Sequence, residues 1–502
     1  MEQIKRHHNK KNSIHPWSVF ASLVLLNLIL GCVVYLFPSN GILVNDEFSL
    51  SFISLEELLN QKEIKVVDLE EVLEGVDTDH DDTTKIQVAK VETTQELAPL
   101  KSPQRKAFSK WFTMPDSNPG IISSLLVRIK EESKNKVVRI LHYGDSQLEG
   151  DRITNYLRNR LQKKFGGCGP GILLPLEPTA SSRGNFRVSH SNDFIKHSIY
   201  TKSDYNDSFG ISGAAFTIKH TTPTITLGDT VGDSSKTQIE KLNFAFFDKS
   251  FLNIKKMYMG YSRSRKFSKA KLLFSNNSPF QVKLSDNDSI QYHTIPPSSL
   301  FGTKEWRVNS SNNIKLSFSS ENHPVIYGLA LDGDTGVAVD NFPMRGSSGT
   351  GFSKINRKMY ATQLSEMNVV AVILQFGVNI IPDVRDNYNY YKRWLSQQLK
   401  SIHIANPDVA IIVIGPSDMS RNQEGEMVSY ENIPLIRDAM KSAAIENNCC
   451  FWDLYEAMGG ENSMTAWVKD DLAQKDYTHF TYKGAKFVSE MLYKSIIEFE
   501  QL

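Results

Sequence analysis

The pattern of apolar and polar positions divides the chain into segments of different character, and the first is an uncharged apolar run. Residues 17–37 contain no charged side chain. As a helix, a run of this length spans a bilayer. Four basic residues precede it, so the positive-inside bias places the tail of residues 1–16 in the cytoplasm and everything after residue 37 outside. We predict a single-pass transmembrane helix that anchors the protein.

Two other interpretations of this apolar segment stay open. A cleaved signal peptide usually has a shorter apolar stretch, and no small-x-small cleavage site follows residue 37. The sequence Ile-Leu-Gly-Cys at residues 29–32 partly resembles a bacterial lipoprotein box, in which Cys32 would carry the lipid. The leucine at its second position and the apolar residues 33–37 favour the membrane anchor instead.

The next segment, residues 38–116, is polar and irregular, and it includes an acidic run at residues 68–82. The aspartates of this run and His80 could suggest a cation site. The run lacks the spacing of an EF-hand, with its glycine and terminal glutamate. We therefore predict a flexible acidic linker that holds the rest of the protein away from the membrane.

Continuous apolar strands alternate with amphipathic helices in two parts of the chain, residues 117–189 and 330–502. In the first part, residues 137–143 have the pattern of a buried strand, and the following segment places Tyr156, Leu157 and Leu161 on one helical face. Strands that are apolar at every position are typical of a parallel sheet covered on both faces. The two parts together predict one α/β domain with a parallel sheet flanked by helices.

Residues 190–329 have a different pattern, with short stretches that alternate apolar and polar residues. Residues 241–248 and 280–286 are examples, and Asn, Ser, Gly and Pro stand at the ends of such stretches. This is the pattern of half-buried antiparallel strands. We predict a β-sandwich domain inserted into the α/β domain.

Composition and charge exclude some functions. The chain has 502 residues, 40% of them hydrophobic, which is enough for several packed cores. The formal net charge of +1 and the lack of a basic stripe give no basis for binding nucleic acid. Of the four cysteines, Cys449 and Cys450 lie in an apolar segment and are expected to be buried core residues. No disulfide framework is indicated.

Four polar or glycine-rich blocks carry the candidate chemistry, and three of them fall at the ends of predicted strands or just before a helix. Ser146 follows the first α/β strand in Gly-Asp-Ser, Asn379 follows another strand in Gly-Val-Asn, and Asp476 and His479 precede the last helix. The fourth block is a glycine-rich turn at residues 345–352, whose backbone N–H groups could face a ligand. Because ligands bind outside the carboxyl ends of parallel strands, we expect these blocks to meet at one site.

The order G-D-S, glycine-rich turn, G-x-N and D-x-x-H resembles that of the SGNH (GDSL) hydrolase family. The resemblance covers residues 117–189 and 330–502. The predicted anchor and β-rich insertion further resemble bacterial peptidoglycan O-acetylesterases, whose insertion resembles a carbohydrate-binding module. In the third block, Ile380 stands where the family commonly has aspartate. This difference makes the substrate pocket less predictable.

The resemblance implies catalytic roles for three residues. Ser146 matches the nucleophile, whose hydroxyl needs a base before it can attack an ester. His479 matches that base. Asp476 matches the residue that fixes the tautomer of the imidazole and stabilises its charged form.

The resemblance also implies an oxyanion hole. It would consist of the backbone N–H groups of Ser146 and Gly349 and the side-chain amide of Asn379. Gly346 is the alternative to Gly349 within the glycine-rich turn.

Neighbouring residues are expected to support this site. Tyr143, Asp145 and Gln147 are predicted to hold the serine turn in shape, and His142 is predicted to pack in the core. For Arg345, a structural salt bridge is favoured over substrate recognition.

Together these features predict a serine esterase that hydrolyses O-acetyl esters on peptidoglycan or an exported polysaccharide. The triad needs no metal or other cofactor, and the catalytic domain is expected in the periplasm or elsewhere outside the cytoplasmic membrane. Two alternatives stay open. The same triad could transfer acetyl to a sugar hydroxyl, making the protein a polysaccharide O-acetyltransferase, or the protein could be a non-catalytic envelope protein that binds glycan.

Overall fold

The structure is a computed structural model that forms two compact units, Met1–Lys65 and Val66–Leu502. It describes residues 16–36, 42–45, 48–50, 67–78, 107–177, 183–201, 205, 209–219, 250–287, 289–308, 312–319 and 323–500. The predicted strand at residues 241–248 and His80 lie outside the described residues.

The first unit contains a helix and a short hairpin. Helix α1 is Pro16–Leu36, and strand β1, Ile42–Asn45, pairs antiparallel with β2, Phe48–Leu50. The described side chains of α1, residues 17–32, are all exposed. Among the residues that the structure describes, no helix is long and apolar enough to cross a membrane. The transmembrane role of this segment stays a prediction.

The second unit contains the remaining helices and strands. Its helices are α2 Leu69–Val72, α3 Ile121–Glu132, α4 Thr154–Phe165, α5 Arg357–Glu366, α6 Asn389–Ala405, α7 Ile433–Glu446, α8 Leu454–Met458, α9 Ser463–Lys469 and α10 Tyr482–Ile497. Its strands are β3 Phe112–Thr113, β4 Val137–Gly144, β5 Gly171–Leu173, β6 Phe186–His190, β7 Phe194–Ser198, β8 Ala214–Ile218, β9 Ser250–Lys256, β10 Lys269–Asn276, β11 Phe280–Asp286, β12 Ser289–Ile295, β13 Ser298–Arg307, β14 Asn313–Phe318, β15 Val325–Asp332, β16 Gly336–Pro343, β17 Val369–Gln375, β18 Ala410–Ile414, β19 Ser420–Gln423, β20 Glu426–Ser429 and β21 Cys450–Trp452.

A mostly parallel sheet forms the centre of the second unit, with strand order β16-β4-β17-β18-β21-β3. The first five strands are parallel, and β3 pairs antiparallel with β21. Every residue of β17 is buried, which explains its unbroken apolar sequence: side chains on both faces are covered. The order 2-1-3-4-5 of the parallel strands reverses between β4 and β17, and ligands bind at such a reversal point. The predicted parallel sheet flanked by helices is confirmed.

Two antiparallel sheets lie between β4 and β16 in the sequence. One has the order β13-β10-β15-β8-β7 with β5 added beside β15, and the other has the order β12-β11-β14-β9-β6. Alternate residues of β9, including Leu252 and Ile254, are buried, as predicted for half-buried strands. These residues share one hydrophobic cluster with Leu141 and Leu374 of the parallel sheet. The antiparallel sheets therefore pack into the same core as the α/β part.

Buried ion pairs also join the parallel sheet to the antiparallel strand β15. Arg139 of β4 contacts Asp340 of β16 with an Nη1–Oδ1 distance of 2.7 Å, and Asp332 at the end of β15 with an Nη2–Oδ2 distance of 2.5 Å. All three residues are buried. Removing one partner of a buried ion pair typically costs about 3–5 kcal/mol, so this link fixes the position of β15 on the parallel sheet.

The structure differs from the predicted domain boundaries at two places. The predicted linker, residues 38–116, contains α2 and β3, and Leu69 and Val76 are buried in a cluster with Trp111 and Trp452. These few apolar residues pack into the hydrophobic cluster although the residues next to them in the sequence are acidic. The predicted insertion, residues 190–329, is also too short at both ends. Strand β5 precedes residue 190 and β15 extends beyond residue 329, yet the two strands pair in one antiparallel sheet.

Candidate active site

The serine turn begins where β4 ends. A side chain at Gly144 would place its Cβ 2.7 Å from the carbonyl oxygen of Gln375 on the neighbouring strand, so this turn requires glycine. Ser146 opens a 3₁₀ turn, Ser146–Asp151. Asp145 caps this turn by accepting a hydrogen bond from the Gln147 N–H at 3.0 Å. The chain thus presents Ser146 at the carboxyl end of β4, beside the reversal point of the sheet.

A hydrogen-bonded chain connects the three residues predicted to be catalytic. The Ser146 Oγ lies 2.7 Å from His479 Nε2, and His479 Nδ1 lies 2.7 Å from Asp476 Oδ2. Ser146 is 8% exposed, whereas the side chains of His479 and Asp476 are 28% and 46% exposed. The arrangement is that of a nucleophile, a base and a residue that orients the base.

Hydrogen bonds hold Asp476 in its ionised form. Partial burial raises its pKa, but hydrogen bonds from the backbone N–H and ring of His479 and from the Thr478 N–H outweigh this and lower the pKa below the usual value. The two backbone bonds are both 3.0 Å long. An aspartate carboxylate that accepts from Nδ1–H leaves the lone pair of His479 Nε2 facing the serine hydroxyl.

Two side chains beside Ser146 hold the histidine loop in place. Gln147 donates to the Thr478 carbonyl at 2.7 Å and accepts from the Phe480 N–H at 3.2 Å, so it binds the backbone on both sides of His479. Arg152 donates to the carbonyl oxygens of Ser146 at 2.8 Å and Phe480 at 2.9 Å. Gln147 was predicted to stabilise its own turn, and the structure shows that it holds the histidine loop.

Asp145 connects the serine turn to the turn that carries Asn379. Besides the Gln147 N–H, its carboxyl accepts from the backbone N–H of Val378. Burial raises the pKa of Asp145 to about 7, although these hydrogen bonds oppose the shift. The predicted role of Asp145 in shaping the turn is confirmed.

The structure corrects one predicted member of the oxyanion hole. The Gly349 N–H donates to Ser347 Oγ at 3.2 Å, and Gly349 is buried against Phe376, where an added Cβ would lie 2.7 Å from the ring. Gly346, the alternative, lines the cavity beside Ser146 and Asn379. It occupies the third position of a turn closed by the hydrogen bond from Ser347 N to the Met344 carbonyl, with a φ of +75° that favours glycine.

The remaining predicted donors also lie at the cavity. Asn379 is exposed and donates from Nδ2 to the Ser347 carbonyl at 2.9 Å, which orients its amide. Among the described residues, the backbone N–H groups of Ser146 and Gly346 donate no hydrogen bond. These three groups can therefore donate to an oxygen bound beside Ser146.

A cavity of about 560 Å³ opens around these groups. The side chains that line it are mostly polar or charged. The lining residues are Ser146, Glu149, Gly150, Arg152, Arg345, Gly346, Asn379, Gln474, Asp476, His479 and Tyr482. Glu149, Arg152, Gln474 and Tyr482 were not among the residues predicted from the sequence. The sequence after Ser146 resembles the start of a helix, so it gave little indication that Glu149 faces the cavity. In the structure, Gly150 and Asp151 have positive φ values, and the segment is a turn.

Other predicted supporting residues lie as follows. His142 is fully buried between Thr154 and Gln375, and burial lowers its pKa to about 3, so it is a neutral core residue as predicted. Tyr143 donates to the Ile211 carbonyl, on the side of the antiparallel sheets, and so lies away from the serine turn. Cys449 and Cys450 are buried as expected.

Solved structures of three esterases are similar to parts of this chain. A structure of a peptidoglycan O-acetylesterase in action matches with a TM-score of 0.59 and 18% identity, covering 78% of this chain and 99% of that chain. A family two carbohydrate esterase from Clostridium thermocellum in complex with cellohexaose matches with a TM-score of 0.23 and 9% identity, over 50% of this chain and 92% of that one. An acetyl xylan esterase matches with a TM-score of 0.24 and 15% identity, over 31% of this chain and 80% of that one.

The first of these matches shows that the chain has the SGNH hydrolase fold. The expected resemblance is therefore confirmed at the level of the fold. Within that fold, the chain is similar to peptidoglycan O-acetylesterase over nearly the whole length of that protein. No protein-family model and no curated protein sequence matches the chain.

Proposed function

We propose that the protein is a serine esterase that hydrolyses O-acetyl esters on glycans. The main support for this proposal is the series of hydrogen bonds from Ser146 Oγ through His479 to Asp476. Both contacts are 2.7 Å long, and the series lies at the reversal point of the sheet. The SGNH fold and the similarity to a peptidoglycan O-acetylesterase support acetyl ester chemistry. They also favour an acetylated cell-wall glycan as the substrate.

The proposed reaction has two acyl-transfer steps. In the first, Ser146 Oγ attacks the acetyl carbonyl carbon while its proton passes to His479 Nε2, and the ester C–O bond then breaks as His479 gives that proton to the leaving sugar oxygen. In the second, water attacks the acetyl-enzyme and gives a proton to His479. Acetate leaves as the proton returns to Ser146 Oγ. Asp476 stabilises the imidazolium in both steps.

The oxyanion of each tetrahedral intermediate would be stabilised by three donor groups of residues that line the cavity. These are the backbone N–H groups of Ser146 and Gly346 and the side-chain amide of Asn379. Because these donors are held by the turns before the substrate binds, little reorganisation is needed during the reaction.

The predicted anchor would place this reaction outside the cytoplasmic membrane. The basis is the uncharged run of residues 17–37 and the basic residues before it. A site in the periplasm or on the cell surface gives access to peptidoglycan or exported polysaccharide.

Acetate release from O-acetylated peptidoglycan by the full-length protein tests this function. We expect acetate from the acetylated polymer and none from polymer that has first been de-acetylated with mild base. If acetyl passes to an added acceptor sugar without net release of acetate, the protein is an O-acetyltransferase. If it binds the glycan but neither releases nor transfers acetyl, the non-catalytic alternative is correct.

Replacing Asn379 by alanine is expected to lower kcat by about 10²–10³, because one oxyanion donor is lost. KM should change little, since the donor acts mainly on the charge that develops after attack. Steady-state kinetics with a soluble acetyl ester measure both constants. Asn387→Ala, which removes another exposed asparagine outside the cavity, is the matched control. An Asn379→Ala protein with unchanged kcat would exclude Asn379 from the oxyanion hole.

Replacing Gln147 by alanine is expected to lower kcat by about 10–100-fold with little change in KM, because small displacements of a catalytic group are costly. The matched control is Gln162→Ala. Gln162 is also a buried glutamine that donates to two backbone carbonyls, those of Gly169 and Val337, but it does not contact the histidine loop. Both variants should lower the thermal unfolding temperature, and only Gln147→Ala should lower kcat. Equal kcat losses in both would show a general structural effect.

A further inference from the structure

The turn after the nucleophile presents a carboxylate to the cavity. Glu149 lies within the 3₁₀ turn but has extended backbone angles, and Gly150 and Asp151 follow with φ values of 66° and 61°. A buried ion pair fixes this shape, because Asp151 contacts Arg158 at 2.7 Å. The position of the Glu149 side chain is therefore set by the fold.

The Glu149 carboxylate has a buried oxygen without a hydrogen-bond donor among the described residues. The side chain is 16% exposed, and its nearest cation is Arg345, with an Nε–Oε1 distance of 3.6 Å. This distance is too long for a hydrogen bond. Leaving a buried carboxylate oxygen unpaired costs free energy. Because Glu149 also lines the cavity, the accessible part of its carboxylate is suited to accept an O–H or N–H group of a ligand.

The charge of Arg345 is also available to a ligand. Its side chain is 64% exposed. Among the described residues, its carboxylate partner is Glu149, at the long distance given above. The other cation of the cavity, Arg152, differs because its guanidinium donates to the carbonyls of Ser146, Glu149 and Phe480. The structural salt bridge predicted for Arg345 is thus present but weak, since exposed pairs contribute little.

The size of the cavity indicates which part of an ester would reach these two residues. Its volume of about 560 Å³ far exceeds the space for an acetyl group, and Arg345 directly precedes the oxyanion donor Gly346. The acetyl carbonyl must lie at Ser146 and Gly346. The alcohol part of the ester is then left with the remaining polar space, whose lining includes Glu149 and Arg345.

We propose that Glu149 and Arg345 form a subsite for the sugar that carries the ester. Glu149 accepts a hydrogen bond from a hydroxyl or amide N–H of that sugar, and Arg345 donates to its oxygens. This inference rests on the proposed function and names the substrate class: acetyl esters of sugars, in preference to esters of apolar alcohols. An ester without these donors leaves Glu149 unpaired, which is how polar sites reject such analogues.

Two esters separate this role from general damage to the enzyme: 6-O-acetyl-N-acetylglucosamine and 4-methylumbelliferyl acetate. Glu149→Ala is expected to lower kcat/KM for the sugar ester by about 10-fold more than for the umbelliferyl ester, mainly through KM. Arg345→Ala should act in the same direction. Equal losses on both esters in both variants would overturn the proposal.

Three further measurements keep the test decisive. Glu131→Ala is the control, because Glu131 is an exposed glutamate that pairs with Lys134 outside the cavity. This variant should leave kcat/KM unchanged for both esters. Glu149→Met keeps the approximate length of the side chain but has no oxygen acceptor, so it should also lower kcat/KM more for the sugar ester than for the umbelliferyl ester, even if the alanine variant is unstable. If the wild-type protein cleaves neither ester, binding of N-acetylglucosamine oligomers is measured by ligand-observed NMR. Binding weakened by Glu149→Ala then supports the subsite although the esterase proposal has failed, and equal binding overturns the subsite.

Discussion

Ser146→Ala is expected to lower kcat for acetyl ester hydrolysis by about 10⁵–10⁶-fold, because loss of the nucleophile removes the covalent pathway. The variant keeps the oxyanion donors, so weak hydrolysis by bound water can persist. Among the described residues, the Ser146 hydroxyl hydrogen-bonds to the side chain of His479. Because this contact lies within the site, loss of the hydroxyl should leave the fold intact. Acetate release by wild type and variant at saturating substrate measures the effect.

A second buried serine provides a matched control for this prediction. Ser264 lies in another 3₁₀ turn, Arg263–Arg265, where its hydroxyl contacts Asn155 and the Tyr261 carbonyl. Ser264→Ala should keep full activity. A Ser146→Ala protein that retains wild-type kcat would show that Ser146 is a turn residue and that the esterase mechanism is wrong.

Asp476→Asn is expected to lower kcat by about 10⁴-fold, the second largest effect. The asparagine carbonyl can still accept from the Thr478 and His479 N–H groups, but its amide would then donate to His479 Nδ1. This favours the tautomer with a proton on Nε2, which cannot accept the proton of Ser146. The loss should therefore appear in kcat at neutral pH, measured with the same soluble ester.

The control for Asp476→Asn is the same substitution at Asp470, an exposed aspartate before the histidine loop that does not line the cavity. We expect Asp470→Asn to have wild-type kcat and an unchanged unfolding temperature. Asp476→Asn with wild-type kcat would mean that the 2.7 Å contact with His479 does not orient the base.

The parts of the fold that the sequence could predict are those with strong local patterns. Strands β4, β17 and β18 are rich in apolar residues because both faces are covered, and this pattern needs no knowledge of distant contacts. Since Ser146 and Asn379 directly follow two such strands, their proximity could be expected from the topology of a parallel sheet. Asp476 and His479 could be placed only through the family resemblance.

The glycine-rich turn shows what a local pattern cannot provide. The turn at residues 345–352 contains three glycines, and each has a positive φ in the structure. Which N–H faces the cavity depends on tertiary contacts: Gly349 packs against Phe376, whereas Gly346 has open space around it. For the same reason the packing of α2 was missed, because the few apolar residues of its acidic segment share a hydrophobic cluster with Trp111 and Trp452, which are distant in the sequence.

Covalent catalysis by Ser146 is tested most directly by mass spectrometry of the full-length protein, quenched with acid within the first turnovers of an acetyl ester. Esterase chemistry through Ser146 predicts one added acetyl group on the peptide that contains Ser146, formed and lost at the rate of turnover and missing in Ser146→Ala. Acetate release without that adduct and at equal rates in the two proteins, or an acetyl group on a different residue, would show that Ser146 is not the nucleophile.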